Sequence, residues 1–277
     1  MAYLAVLARS ACLCVLCGVL GVGVTVVSAQ ASANLQQMIT TLVANERKAA
    51  QHKQRFLYTS VERSDRTGGH IWTDRVIETA DGKLRYLIAE DGHPLSPKRH
   101  AEELARLKTI SDNPADFVRR EQARRNDERH AQQMLELLPR AFLFENGGSD
   151  GPYLRINFRP NPAYEPNTYE ERVLHSMSGM MLIDPDTLRL HHLEGRLNND
   201  VSFAYGLLAT IRGGGGFATT RDLITPDTWK TVLIDTHIDG RAIFFKTISL
   251  HQHSEHRDFQ SIPANLTIPQ AIQLLER

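Results

Sequence analysis

Val201-Ser-Phe-Ala-Tyr-Gly-Leu-Leu-Ala-Thr-Ile211 is the stretch on which the reading of the fold turns. Val201, Phe203, Tyr205, Leu207, Ala209 and Ile211 are apolar, and the residues between them are small or polar apart from Leu208. Period-two alternation puts the first set on one face of a single pleated strand, which is expected to bury Phe203 and Leu207. Around it, residues 179–263 read as short strands broken by turn signals, an antiparallel meander. Residues 179–184 and 188–197 form a hairpin over Pro185-Asp186-Thr187. The apolar parity changes near His191-His192, which predicts a bulge and a bend there. Four glycines, Gly213 to Gly216, lead into a strand at 217–224. Strands 229–238 and 241–250 are expected to meet at Asp239-Gly240, a strong hairpin signal.

Towards the N-terminus, Asn34 caps a helix expected to reach residue 53, with Leu35, Met38, Ile39, Leu42 and Val43 on one stripe. Strands at 56–62, 71–79 and 83–90 follow, joined at Gly68-Gly69 and Asp81-Gly82. A helical insertion then spans 94–140. Ser96-Pro97 starts its first helix and Asn113-Pro114 its second. Residues 119–133 hold no large apolar side chain, so that length reads as solvated all round, with an apolar foot at Met134, Leu135, Leu137 and Leu138. Strand 153–159 alternates cleanly. Thr168 with Glu171 fits a capping box, and Thr267 with Pro269 opens a short final helix.

The chain has 277 residues, and Ala11 to Val27 is an uncharged, almost wholly apolar run. Val27-Ser28-Ala29 supplies small residues for cleavage before Gln30, so residues 1–29 read as a secretory signal. All three cysteines, Cys12, Cys14 and Cys17, fall inside that segment. A mature chain without cysteine in an oxidising compartment fits a bacterial periplasm. Residues 30–277 then form one domain, large enough for a single core. Loss of Arg9 leaves 31 basic against 32 acidic side chains, so no overall field points to nucleic acid.

No reaction is legible. There is no Gly-x-Ser-x-Gly elbow, no His-Glu-x-x-His and no thiol after cleavage, and the four glycines lack the Lys-Ser/Thr of a phosphate loop. Asp184, Asp186, Asp235 and Asp239 are assigned to turns and strand ends, where aspartate serves the backbone. His251 and His253 share a strand face with Glu255, but on one strand end these read as a surface cluster rather than a closed metal site. Neither metal nor cofactor is expected. The remaining signal is apolar surface on both faces of the last strands: Phe244, Ile248 and Leu250 on one parity, Ile243 and Phe245 on the other. Such a sheet needs cover on both faces or a ligand on one.

Phe158-Arg-Pro-Asn-Pro, Met177-Ser-Gly-Met-Met-Leu-Ile-Asp184 with Leu193-Glu-Gly195, and the run from Trp229 to Lys246, set in this order of elements, resemble the lipoprotein-carrier superfamily. The likeness is to LolA-type carriers, the lipid-sensing domain of RseB-type regulators and a related group of secreted bacterial proteins. It implies an α+β fold, a curved antiparallel half-barrel sheet with an N-terminal helix and a helical insertion. It also implies a non-enzymatic protein whose apolar concave face takes an acyl chain of a lipid or lipoprotein. Trp72, Tyr86, Phe158, Phe203, Tyr205, Leu207 and Phe244 are the side chains expected to line that face. The alternative is an interaction or regulatory module whose helical insertion contacts a protein partner.

Overall fold

The computed structural model describes residues 20–51, 54–203, 209–242 and 246–277. Thirteen antiparallel strands form one open, curved sheet among these residues. In chain order the first half holds β1 (Arg55–Ser64), β2 (Ile71–Glu78), β3 (Lys83–Glu90), β4 (His93–Pro94), β5 (Phe142–Asp150), β6 (Tyr153–Pro160) and β7 (Met177–Asp184). The second holds β8 (Arg189–Leu197), β9 (Val201–Phe203), β10 (Ala209–Ile211), β11 (Gly216–Thr225), β12 (Thr228–Ala242) and β13 (Lys246–Ile262). The helices are α1 (Leu20–Ala49), α2 (Pro97–Asp112), α3 (Ala115–Ala141), α4 (Tyr169–His175) and α5 (Ile268–Leu275). The sheet runs β4-β3-β2-β1-β13-β12-β11-β8-β7-β6-β5, with β10 and β9 paired beside β12, and the first and last strands of the chain, β1 and β13, pair within it. The fold is therefore α+β, with an N-terminal helix and two long helices inserted between β4 and β5. None of the described helices is long and apolar enough to cross a membrane.

Local chemistry sets the helix starts. Ser96 Oγ accepts the Arg99 N–H and Pro97 fills the first turn of α2. Thr168 caps α4, and Thr267 with Gln270 forms a capping box on α5. The bulge expected near His191 is present: Leu182 pairs with His192 but Ile183 with Leu190, leaving His191 as the extra residue.

Two strand expectations are corrected. Residues 201–211 are not one strand. β9 and β10 fold back on each other, with Val201 opposite Ile211. Val201 is buried with Met177 and Leu197, and Ile211 and Phe217 pack on that cluster, so reversal lets both ends of the stretch share one apolar site. Nor is Asp239-Gly240 a turn. β12 continues through it, pairing Asp239 with Ser249 and Gly240 with Ile248. Gly240 also faces Ile211 of β10, where a Cβ would stand 2.7 Å from the Thr210 carbonyl. The glycine permits close strand approach rather than reversal.

The sheet curls towards one face. Lys230 of β12 reaches Glu78 of β2 at 2.8 Å across the intervening β13 and β1, and Ile224 of β11 packs with Phe56, Tyr58 and Val76. That is the inner face. Over β5–β8 it is filled by α1 and the end of α3, through Ile39, Leu42, Leu137, Leu138 and Ala141 against Phe142, Ile156, Met181 and Ile183. Over β1–β3 it is the outer face that is covered. There Leu57, Ile77, Leu84 and Tyr86 pack against Leu107, Ile110, Phe117 and the α5 residues Ile268, Ile272 and Leu275. Helix α3 passes from one cover to the other beneath the β2–β3 turn.

The polar middle of α3 is docked, not solvated all round. Glu121, 14% exposed, accepts the Lys83 N–H at 2.8 Å, Arg125 donates to the Ala80 carbonyl, and Glu128 pairs with Lys83. A helix can be held by backbone groups of a turn, and hydrophobic patterning does not register such contacts.

Candidate functional site

The inner face divides into three zones. On β1–β3 it is ionic. Glu62 is 4% and Asp74 2% exposed. Arg66, from the 3-10 turn Asp65–Thr67, grips Glu62 with both Nε and Nη2, at 3.0 and 2.8 Å. Arg85 Nη1 lies 3.0 Å from Asp74 Oδ2 and 3.4 Å from Glu62 Oε2, and Ser64 Oγ donates to Glu62 at 2.6 Å. Burial pushes the Glu62 carboxyl up, but Arg66, Ser64 and Arg85 outweigh it and hold the group below the ordinary carboxylate value. Two carboxylates matched by two guanidiniums orient one another. Tyr58 closes the zone between Phe259, stacked at 5.0 Å, and His256, whose Nδ1 lies 3.0 Å from the Thr231 carbonyl. Burial raises the Tyr58 phenol and lowers the His256 imidazole.

The second zone is a cleft of about 230 Å³ between the end of α1 and the starts of β8 and β12, lined by Glu46, Gln54, Arg189, Arg221, Trp229 and Lys230. Glu46 is its buried anchor. It accepts from Arg189 Nε at 2.8 Å, from the Leu190 N–H at 3.0 Å and from Arg221. Desolvation raises its carboxyl, and Arg189, Arg221 and Leu190 more than offset that, so it too lies below the ordinary range.

The third zone is apolar and lies on β11–β13. Strand register puts Phe217 and Thr219 of β11, Ile234, Thr236 and Ile238 of β12, and Leu250 of β13 on the inner face. The cores beneath α1 and α3 stop at β8. Phe217, Ile234 and Ile238 remain half-buried, and Leu250 is 49% exposed. The strip therefore keeps apolar surface in contact with water along one wall of the concavity.

The expected ligand-lining residues are dispersed. Trp72 is on the inner face in the ionic zone, with the Arg66 guanidinium 5.0 Å above its ring and Arg99 6.0 Å away. Tyr86 is buried on the outer face against α2, its hydroxyl 2.7 Å from His100 Nε2. Phe158 is buried on the inner face beneath the helices, edge-on to Phe142 at 5.1 Å. These three side chains have different neighbours. Tyr205, Leu207 and Phe244 lie outside the described residues, as does the side chain of Phe203. The strip residues Phe217, Ile234, Ile238 and Leu250 were not in the expected set. The excess apolar parity of the last strands was the signal that could have found them.

The chain matches no family model, no curated protein and no solved structure.

Proposed function

We propose that this is an exported, periplasmic, non-enzymatic binding protein that takes an acyl chain of a lipid or lipoprotein on the inner face of its open sheet. One observation carries the reading: the apolar strip Ile234, Ile238 and Leu250, with Phe217 beside it on the Met177–Leu197 cluster, which the described cores beneath α1 and α3 leave uncovered on the inner face of the curved sheet. From Ile234 to Ile238 the strip runs about 13 Å, enough to contact several methylenes of an extended chain. Each buried methylene contributes roughly 0.8 kcal/mol, so a long acyl chain suffices without strong polar contacts. The likeness to lipoprotein carriers and the segment 1–29 point to the same role and compartment. Among the described side chains of α1, those packed in the core, Leu35, Met38, Ile39, Leu42 and Val43, follow Ala29.

The test is titration of the purified chain with a dansylated C11 fatty acid, wild type against Ile234→Asp. A charge on the strip is expected to weaken probe binding at least tenfold, about 1.4 kcal/mol, while far-UV circular dichroism stays unchanged. Equal binding by a folded Ile234→Asp chain refutes the assignment of the ligand to this strip.

A further inference from the structure

We propose that His237, Asp239 and His251, on the outer face of β12 and β13, form a binding site for a divalent transition-metal cation. The register that removes the turn at Asp239-Gly240 builds this site: it sets His237 directly opposite His251, with Asp239 two residues along the same strand face. One ligand atom from each of the three lies within 4.8 Å of the others. The two imidazoles stack at 4.5 Å with planes 9° apart, and both Nε2 atoms face one carboxylate: His251 at 3.2 Å from Oδ1, His237 at 3.5 Å from Oδ2.

Two features separate this cluster from an ordinary surface patch. His251 Nε2 is shut off from solvent and has no hydrogen-bond partner among the described residues. A buried ring nitrogen in that state is unsatisfied unless something coordinates it. The site is also anchored. Asp65 Oδ2 accepts the His251 N–H at 3.1 Å, and continuous β12–β13 pairing fixes both histidine backbones. His237 also lines a groove of about 500 Å³ together with Gly216 and Ala218.

Two imidazoles and one carboxylate suit zinc, nickel or copper rather than calcium or magnesium, which prefer all-oxygen sets. His253 is not part of the set. Its Nδ1 is already 2.6 Å from Asp235 Oδ1.

The experiment is isothermal titration calorimetry of the untagged chain with zinc chloride, followed by the same titration of His251→Ala, His237→Ala, Asp239→Asn and His253→Ala, each checked for folding by circular dichroism. We expect one saturable zinc ion per chain. Loss of a ligating histidine should weaken it by more than the 10–100-fold typical of a group that merely supports a ligand. His253→Ala should bind as wild type does. His237 is exposed, so its variant keeps the test open if His251→Ala fails to fold. Absence of saturable zinc binding by the wild-type chain overturns the proposal. So does a pattern in which His253→Ala abolishes binding and His237→Ala does not, which would place the ion on His253 and Glu255.

Discussion

Replacing Glu46 tests how the first helix is tied to the sheet. Glu46 is 7% exposed on its side chain, Arg189 12% and Arg221 20%, so all three charges are largely out of water. Glu46→Ala leaves two buried guanidiniums and the Leu190 N–H without their acceptor. Breaking a buried pair costs about 3–5 kcal/mol. The adjoining cleft of about 230 Å³ can admit several waters to the stranded arginines, which puts the expected loss near 3 kcal/mol. Glu46→Gln keeps an acceptor for Leu190 and loses only the charge, for roughly 1.5–3 kcal/mol. The two variants also differ from wild type in acid. The Glu46 carboxyl is held below its ordinary 4.5 in the folded chain. Its stabilising contribution is therefore complete above the unfolded-state value and is lost as pH falls through the lower folded one. Urea melts at pH 7 and at steps below 4.5 read both effects: Glu46→Gln should be weaker at pH 7 and its stability should fall less on acidification. Destabilisation below about 0.5 kcal/mol by either variant, or an acid profile of Glu46→Gln parallel to wild type, would refute the reasoning.

Two further substitutions test the packing. Phe158→Ala should cost about 3–5 kcal/mol by denaturant melting, because the ring is 5% exposed against Phe142; acyl-probe affinity of the folded fraction should be unchanged, and a selective loss of binding with little loss of stability would make Phe158 a ligand contact instead. Gly179→Ala places a Cβ 1.9 Å from the Glu194 carbonyl, a backbone atom that cannot swing aside, so β7 and β8 must separate locally; a melting temperature within a degree or two of wild type would show that the β7–β8 pairing is wrong.

Much of the architecture was legible because it rests on local chemistry. Ser96, Thr168 and Thr267 announce their helices by side chains that accept backbone N–H groups. Strand 153–159 and the parity change at His191 were readable because each pairs with neighbours close in sequence. What failed depended on distant partners. Gly240 resembles a turn residue until β10 is placed beside it, and Val201 to Ile211 resembles one strand until its two ends meet on Met177 and Leu197. Glu121 looks solvated because its partner is a backbone N–H across the β2–β3 turn. Face assignment was the hardest part. β1 buries Phe56 and Tyr58 on one side and Leu57 on the other, since curling covers the inner face and α2 with α5 the outer. The histidine pair was hidden by the same misplaced turn: with reversal at 239–240, His237 and His251 would not face each other.

Native mass spectrometry of the untagged protein, recovered from the periplasm of an expressing bacterium without detergent, tests the acyl-chain reading most directly. The account predicts a polypeptide beginning at Gln30 that carries a lipid-sized adduct, and the same polypeptide largely bare when Ile234 is aspartate. A folded wild-type chain that is bare under these conditions, or an adduct retained in full by Ile234→Asp, would contradict it.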